Sequence, residues 1–324
     1  MKLALRVTVS GALLALLIAI IPWREAWDGL QRLSPWHWAA VLVLFVAAHL
    51  LGTIKWRMMV NAGRARLGYV DAVMCYFAGL FANICLPSIV GGDVLRAALA
   101  GRLTRRPEAA VWGGVADRLS DLLATALLIV GGALLARGSL PGVWSEVLTV
   151  LLVVGLVVGA SGVPFLLRRP LAKWPRRVRR AVGRSLVSFR RMRRSPGVTA
   201  MALTLSLIIQ GTFVLLNASL GRAIGVQVEL AVWFLVWPLA KVSGLLPISL
   251  GGLAVREATL AALLLPFGVP IASGVVAALL WQTVMICGGL IGGALWTVLA
   301  RRRGAGMTAR DAMRRAHTSS PAHV

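Results

Sequence analysis

Two stretches of the chain share the pattern Pro-x-x-x-Gly-Gly-x-x-x-Arg: Pro87, Gly91, Gly92 and Arg96, then Pro247, Gly251, Gly252 and Arg256, a constant 160 residues apart (247 − 87 and 256 − 96). Proline ends a helix and paired glycines let the backbone turn sharply. A helix restarting after the glycines aims unpaired N–H groups, with their partial positive charge, back toward the break. An arginine one turn further on adds a planar fork of donors that matches a phosphate or carboxylate. The pattern therefore suits the capture of an anion, and it occurs twice.

Each copy has polar neighbours. Around the first stand Asn83, Ser88 and Asp93. Asp93 either caps the restarting helix or pairs with Arg96. Around the second stand Lys241, Ser249 and Glu257. Glu257 follows its arginine, so capping does not extend to it. Lys241 lies in an apolar run and either snorkels to an interface or faces a polar cavity. A third cluster is Asp117, Arg118 and Asp121. Asp117 and Asp121 are four apart and share a helix face, with Arg118 about 100° away. Either these are interfacial charges near a helix end, or Arg118 and Asp121 pair with Arg96 or Asp93 of the adjacent broken segment and build a charged pocket.

The elements that hold these residues follow from composition. Of 324 residues 58% are hydrophobic, and the mean hydropathy is +0.81. Apolar runs near 20 residues recur, the length that crosses a bilayer as helix. The net charge of +24 sits in loops between those runs. There it sets topology and meets anionic headgroups, which leaves nothing for nucleic acid to explain. Cys75, Cys85 and Cys287 lie in apolar stretches without ligand spacing and read as small hydrophobes. His37, His49, His317 and His323 do not cluster, and the HExxH, Walker A, GxGxxG and GxSxG patterns are absent. No cofactor, metal or enzymatic activity is expected. With no ATPase motif, any transport would be downhill or ion-coupled.

Spanning helices are expected roughly at 3–21, 36–54, 109–136, 143–167, 198–221 and 271–299, with broken segments at 71–102 and 230–265 holding the two motifs. Lys2 and Arg6 before the first run resemble a signal peptide, but no small-x-small site precedes Pro22, so an uncleaved helix is favoured. Lys55, Arg57, Arg64 and Arg66 mark a cytoplasmic loop before the first broken segment, and Arg102, Arg105 and Arg106 mark another after it. That segment must enter and leave on one side. The second, flanked only by Arg222 and by Pro266 to Pro270, enters and leaves on the other.

The expected fold is an all-α polytopic membrane protein: about six spanning helices plus two re-entrant hairpins in inverted-topology repeats, or eight spans if the hairpins cross fully. The membrane domain covers 1–300, with repeat units at 36–136 and 198–299. Twelve basic residues and no acid between Arg168 and Arg194, with apolar residues at helical spacing, describe a linker (168–196) that either lies on the inner leaflet or simply fixes topology. The tail 301–324 is expected to be disordered, and both it and the N-terminus to be cytoplasmic. Residues 168–194 and 301–315 are the expected contacts for anionic phospholipid headgroups. Trp56, Trp112, Trp144, Trp174 and Trp296 are assigned to interfacial belts, and Gly131-Gly132, Gly288-Gly289 and Gly292-Gly293 to close helix packing.

The segments 87–96 (PSIVGGDVLR), 116–122 (ADRLSDL) and 246–257 (LPISLGGLAVRE) together resemble the lysylphosphatidylglycerol synthase transmembrane-region family, the flippase-like membrane part of bacterial multiple peptide resistance factors. The likeness runs from about Pro35 to Arg301. It implies an inner-membrane protein related to movers of aminoacylated phosphatidylglycerol, with family motifs at Gly91, Gly92, Asp93 and Arg96, at Asp117 and Arg118, and at Gly251, Gly252, Arg256 and Glu257. Aspartate stands at 117 where glutamate is common. The sequence ends soon after the last apolar run, so lysyl-lipid synthesis is not expected. The leading expectation is a lipid translocator. The alternative is a non-transporting accessory or scaffold for an envelope-lipid or glycolipid enzyme, working through the basic linker and tail.

Overall fold

Four apolar runs become helices long enough to cross a bilayer in the computed structural model, which describes residues 31–85, 91–136, 196–244 and 254–318 together with Trp27 and Gly138. They are α1 (Pro35–Ala62), α4 (Pro107–Leu135), α5 (Pro196–Ala223) and α8 (Ile271–Thr318). Between them lie two pairs of shorter helices: α2 (Tyr69–Cys85) with α3 (Gly91–Thr104), and α6 (Leu230–Ser243) with α7 (Val255–Leu264). At 1.5 Å per residue even the longest of these, α2, is about 26 Å long, short of a hydrocarbon core of roughly 30 Å. The expected spans 3–21 and 143–167, the linker up to Ser195, and Ser88, Ser249, Gly251 and Gly252 lie outside the described residues.

Proline sets several starts. Pro35 and Pro107 occupy the first turns of α1 and α4, where the missing N–H is no loss and φ is already helical. Nothing breaks α1 before Gly63, so it runs on to Ala62, well beyond the expected end at 54. Lys55 is therefore a helix residue, not part of the basic loop to which its neighbours assigned it. Likewise α8 continues to Thr318, into the segment expected to be disordered; that stretch is rich in Ala, Arg and Met, all good helix formers.

The helices pack in a pattern that repeats. The α2–α3 pair is wedged between two long helices, α2 on α8 and α3 on α4. The α6–α7 pair is wedged between the same two in the opposite sense, α6 on α4 and α7 on α8. Exchanging α1–α4 for α5–α8 also maps α1·α2 onto α5·α6, α1·α4 onto α5·α8, and α4·α5 onto α8·α1. The equivalent helices α1 and α5 cross antiparallel: His37 meets Ser219, Phe45 meets Phe213, and Lys55 meets Ser206.

Glycines make the wedging possible. A methyl at Gly132 of α4 would stand 2.6 Å from the α6 backbone, and one at Gly292 of α8 would stand 3.0 Å from the Phe77 carbonyl of α2. Gly288, Gly289 and Gly293 lie as closely on Phe45, Ile84 and Phe81, the role expected of that run. Gly131 has open space beside it. At the end where α1 stops, Gly63 rests on Ala109 of α4, which brings together the two basic loops flanking α2–α3. Arg303 of α8 pairs with Asp71 at the start of α2.

Candidate functional site

The first motif works by close approach. Gly92 opens α3 against Gly79 of α2: a Cβ on Gly92 would lie 2.2 Å from the Gly79 carbonyl and 2.3 Å from Asn83 Oδ1. Only glycine admits that contact. Asn83 Oδ1 accepts the Gly92 N–H at 3.1 Å, so one of the N–H groups expected to face a ligand is already taken. The same helix places Asp93, the next residue, and Arg96, one turn on, toward α4.

There a chain of alternating charge forms. Lys55 Nζ of α1 donates to Asp121 Oδ1 at 2.5 Å and to Ser206 Oγ of α5 at 2.9 Å, and lies 3.0 Å from Asp117 Oδ1. Arg96 Nη2 reaches Asp117 Oδ2 at 2.8 Å and Asp93 Oδ1 at 2.9 Å. Arg118 closes the chain, with Nε and Nη2 on the two oxygens of Asp93. Lys55, Arg96 and Asp117 are all buried. Charges so placed are stable only when paired and hydrogen-bonded. The Asp117–Asp121 face expected from the four-residue spacing is present, and the ammonium of Lys55 sits against both carboxylates. Of the two sequence readings, pairing across helices is realised for Arg118, which takes Asp93, whereas Arg96 is held by Asp117, a partner that reading did not name. Asp121 pairs instead with Lys55, a residue the loop assignment had hidden.

Aromatic rings cover Arg96. Its guanidinium carbon is 5.3 Å from the ring centroids of both Trp56 and Tyr76, at cation–π distance. Trp56 is fully buried. The interfacial-belt assignment is therefore corrected for Trp56, which lies one residue beyond Lys55 in a helix that has not yet ended.

The arginine of the second motif is held differently. Arg256, at the start of α7, sends Nη2 to Glu257 Oε1 and to Gln282 Oε1 of α8, each at 2.5 Å, while Nη1 meets the Met285 sulfur at 3.1 Å. Lys241 of α6 donates to Gln210 Oε1 of α5 at 2.5 Å. The ring of Trp237 lies 6.0 Å from the Arg256 guanidinium.

Both clusters face one cavity of about 560 Å³, to which all eight described α-helices contribute lining residues. Asn83, Asp93, Arg96, Asp117, Arg118, Asp121, Lys241 and Arg256 are on its wall, and Glu257 is buried behind Arg256. Gly91 and Gly92 start the helix that carries two of these residues. Aromatic rings share the lining: Phe45, Phe213, Trp237 and Trp281, with successive ring centroids 5.5, 5.8 and 5.2 Å apart along the path Phe45–Phe213–Trp281–Trp237. Sequence reasoning misses Lys55, Gln210, Gln282 and these rings. The continuity of α1 up to Gly63 is the signal that would have found Lys55; the two glutamines carry no charge to mark them. The arrangement provides anion donors, carboxylates and an apolar face around one space, which suits an amphiphile.

The family described as Lysylphosphatidylglycerol synthase TM region matches residues 3–293, in line with the motif resemblance. A UPF0104 membrane protein from Methanothermobacter thermautotrophicus is 26% identical over 133 residues, which is 41% of this chain and 38% of that protein. No solved structure matches significantly.

Proposed function

The chain belongs to the lysylphosphatidylglycerol synthase TM region family of multi-pass membrane proteins, and from that premise we propose that it is a transbilayer lipid translocator of the bacterial inner membrane, with both termini cytoplasmic. The observation that carries this reading is the cavity, about 560 Å³, lined both by charged side chains and by a run of aromatic rings. That volume is in the range of small-ligand sites. The headgroup of an anionic or aminoacylated phospholipid sits among the charges, and its chains leave along the aromatic rings.

An inverted repeat supplies the moving parts. It is supported by the antiparallel crossing of α1 and α5, by the exchange symmetry of the helix contacts, and by paired helices each shorter than the bilayer core. The α2–α3 and α6–α7 pairs then enter from opposite faces and act as opposing gates about a shared site. Carboxylates beside the arginines balance charge or meet a cationic aminoacyl group.

The test is transport. Purified protein in liposomes is expected to speed the crossing of headgroup-labelled anionic lipid, and Arg96→Ala or Arg256→Ala to slow it by about tenfold or more, as for loss of a buried charge contact. Rates equal to empty liposomes for wild type and both variants, across several anionic lipids, would overturn the reading.

A further inference from the structure

The two halves use their shared arginine in different ways. The 160-residue offset that relates the motifs also carries Gly132 onto Gly292, each pressed on the first helix of the other half's short pair. On that register Asp117, the partner of Arg96, becomes Ala277, and Asp121 becomes Trp281 (277 − 117 = 281 − 121 = 160). The acids of the first half have no counterpart in the second.

The charge balance follows. In the first half three cations, Lys55, Arg96 and Arg118, meet three carboxylates, Asp93, Asp117 and Asp121, and all six are in ion pairs. That cluster is neutral as a whole. In the second half Lys241 and Arg256 have one carboxylate between them, Glu257, which binds Arg256. Lys241 bonds to the neutral Gln210.

Donor use points the same way. An ammonium has three N–H donors and a guanidinium five. Arg118 spends its donors on a carboxylate in the two-pronged geometry, and Arg96 is sandwiched by rings while Nη2 holds two acids. Arg256 keeps Nη1 on a thioether, a weak acceptor; its Nε, like that of Arg96, is buried without a protein partner. Its neighbour is close: a methyl at Gly244 would lie 3.3 Å from the Lys241 carbonyl and 3.5 Å from Arg256 Cβ. Lys241 of α6 and Arg256 of α7 both line the cavity, together with Trp237 and Trp281.

Building on the translocator reading, we propose that Lys241 and Arg256 form the binding site for a single phosphodiester anion, and that the Asp93–Arg118 cluster is a self-neutralised part of the same cavity lining. One excess positive charge takes a ligand carrying one net negative charge. An anionic glycerophospholipid is favoured over a zwitterionic one, whose own cation would meet Glu257, a carboxylate that is buried and already bound to Arg256.

The experiment uses full-length protein purified in detergent and offered phosphatidylglycerol, phosphatidylcholine or water-soluble glycerophosphoglycerol, with bound ligand read by native mass spectrometry. Wild type is expected to hold phosphatidylglycerol over phosphatidylcholine by about tenfold or more, the scale of one buried charge contact. Lys241→Met is expected to abolish that preference and Lys241→Arg to keep it. Lys241→Gln, which retains a donor for Gln210, serves if the methionine variant does not fold. Equal retention of both lipids by wild type, or an unchanged preference in Lys241→Met and Lys241→Gln, overturns the site. Binding of glycerophosphoglycerol as tight as that of the lipid keeps the site but removes the lipid reading on which it was built. Binding of the lipid alone supports both.

Discussion

Arg118 closes on Asp93 with two parallel N–H···O contacts, 2.7 Å from Nε and 2.8 Å from Nη2, across 25 residues of chain. This ties the helix that follows the first glycine pair to the long helix after it. The pair is not the most consequential for stability, because the Arg118 side chain is 48% exposed, against 3% for Asp117, which lies between Lys55 and Arg96.

That contrast orders two substitutions. Asp117→Asn leaves two buried cations short of a counter-charge and is expected to cost about 3 kcal/mol or more. Arg118→Gln leaves Asp93 still paired with Arg96 and is expected to cost about 1 kcal/mol or less. Thermal unfolding of the detergent-solubilised protein measures both, and the opposite order would contradict the burial argument.

Lys55 and Asp121 are expected to be energetically coupled. Lys55→Met strands two carboxylates, and Asp121→Asn in the same chain removes one of them. The double variant should therefore be more stable than the sum of the single losses implies, by about 1–3 kcal/mol. Additive losses in the cycle would mean the 2.5 Å contact contributes nothing.

Gly92 and Gly131 should respond oppositely to one methyl. Gly92→Ala drives a Cβ into the Gly79 carbonyl and the Asn83 amide, and is expected to cost about 1–3 kcal/mol. Gly131→Ala meets open space and gains helix propensity, up to about 1 kcal/mol. Comparing the unfolding temperatures of the two variants checks this.

The cysteines report on access to the cavity. Cys85 is exposed and on the cavity wall, while Cys75 is buried. A polar maleimide is expected to modify Cys85 in the folded protein and to spare Cys75 until unfolding. Peptide mapping after timed labelling reads this directly, and early modification of Cys75 would contradict the packing of α2.

Charges inside apolar runs are conspicuous in sequence, which is why Asp93, Arg96, Asp117, Arg118, Lys241 and Arg256 could be picked out before any coordinates. Partner choice was not legible, because it depends on how helices distant in sequence cross. Lys55 escapes for a local reason: followed by Trp56 and Arg57, it reads as the edge of a basic loop, and only the lack of a breaker before Gly63 says otherwise. Gln210 and Gln282 escape because neutral amides barely perturb hydropathy. The 160-residue offset is plain in the sequence, but the antiparallel meeting of α1 and α5 is a fact of three dimensions.

The Lys55–Asp121 contact has a consequence for biogenesis. Each of these side chains, carried alone to the middle of a membrane, costs about 2.5–3.5 kcal/mol on insertion scales. Both penalties fall once the charges meet, and they meet only when the first and fourth described helices lie side by side. Delivering these helices into lipid together, rather than one after another, is the route on which neither charge waits in hydrocarbon without its counter-ion.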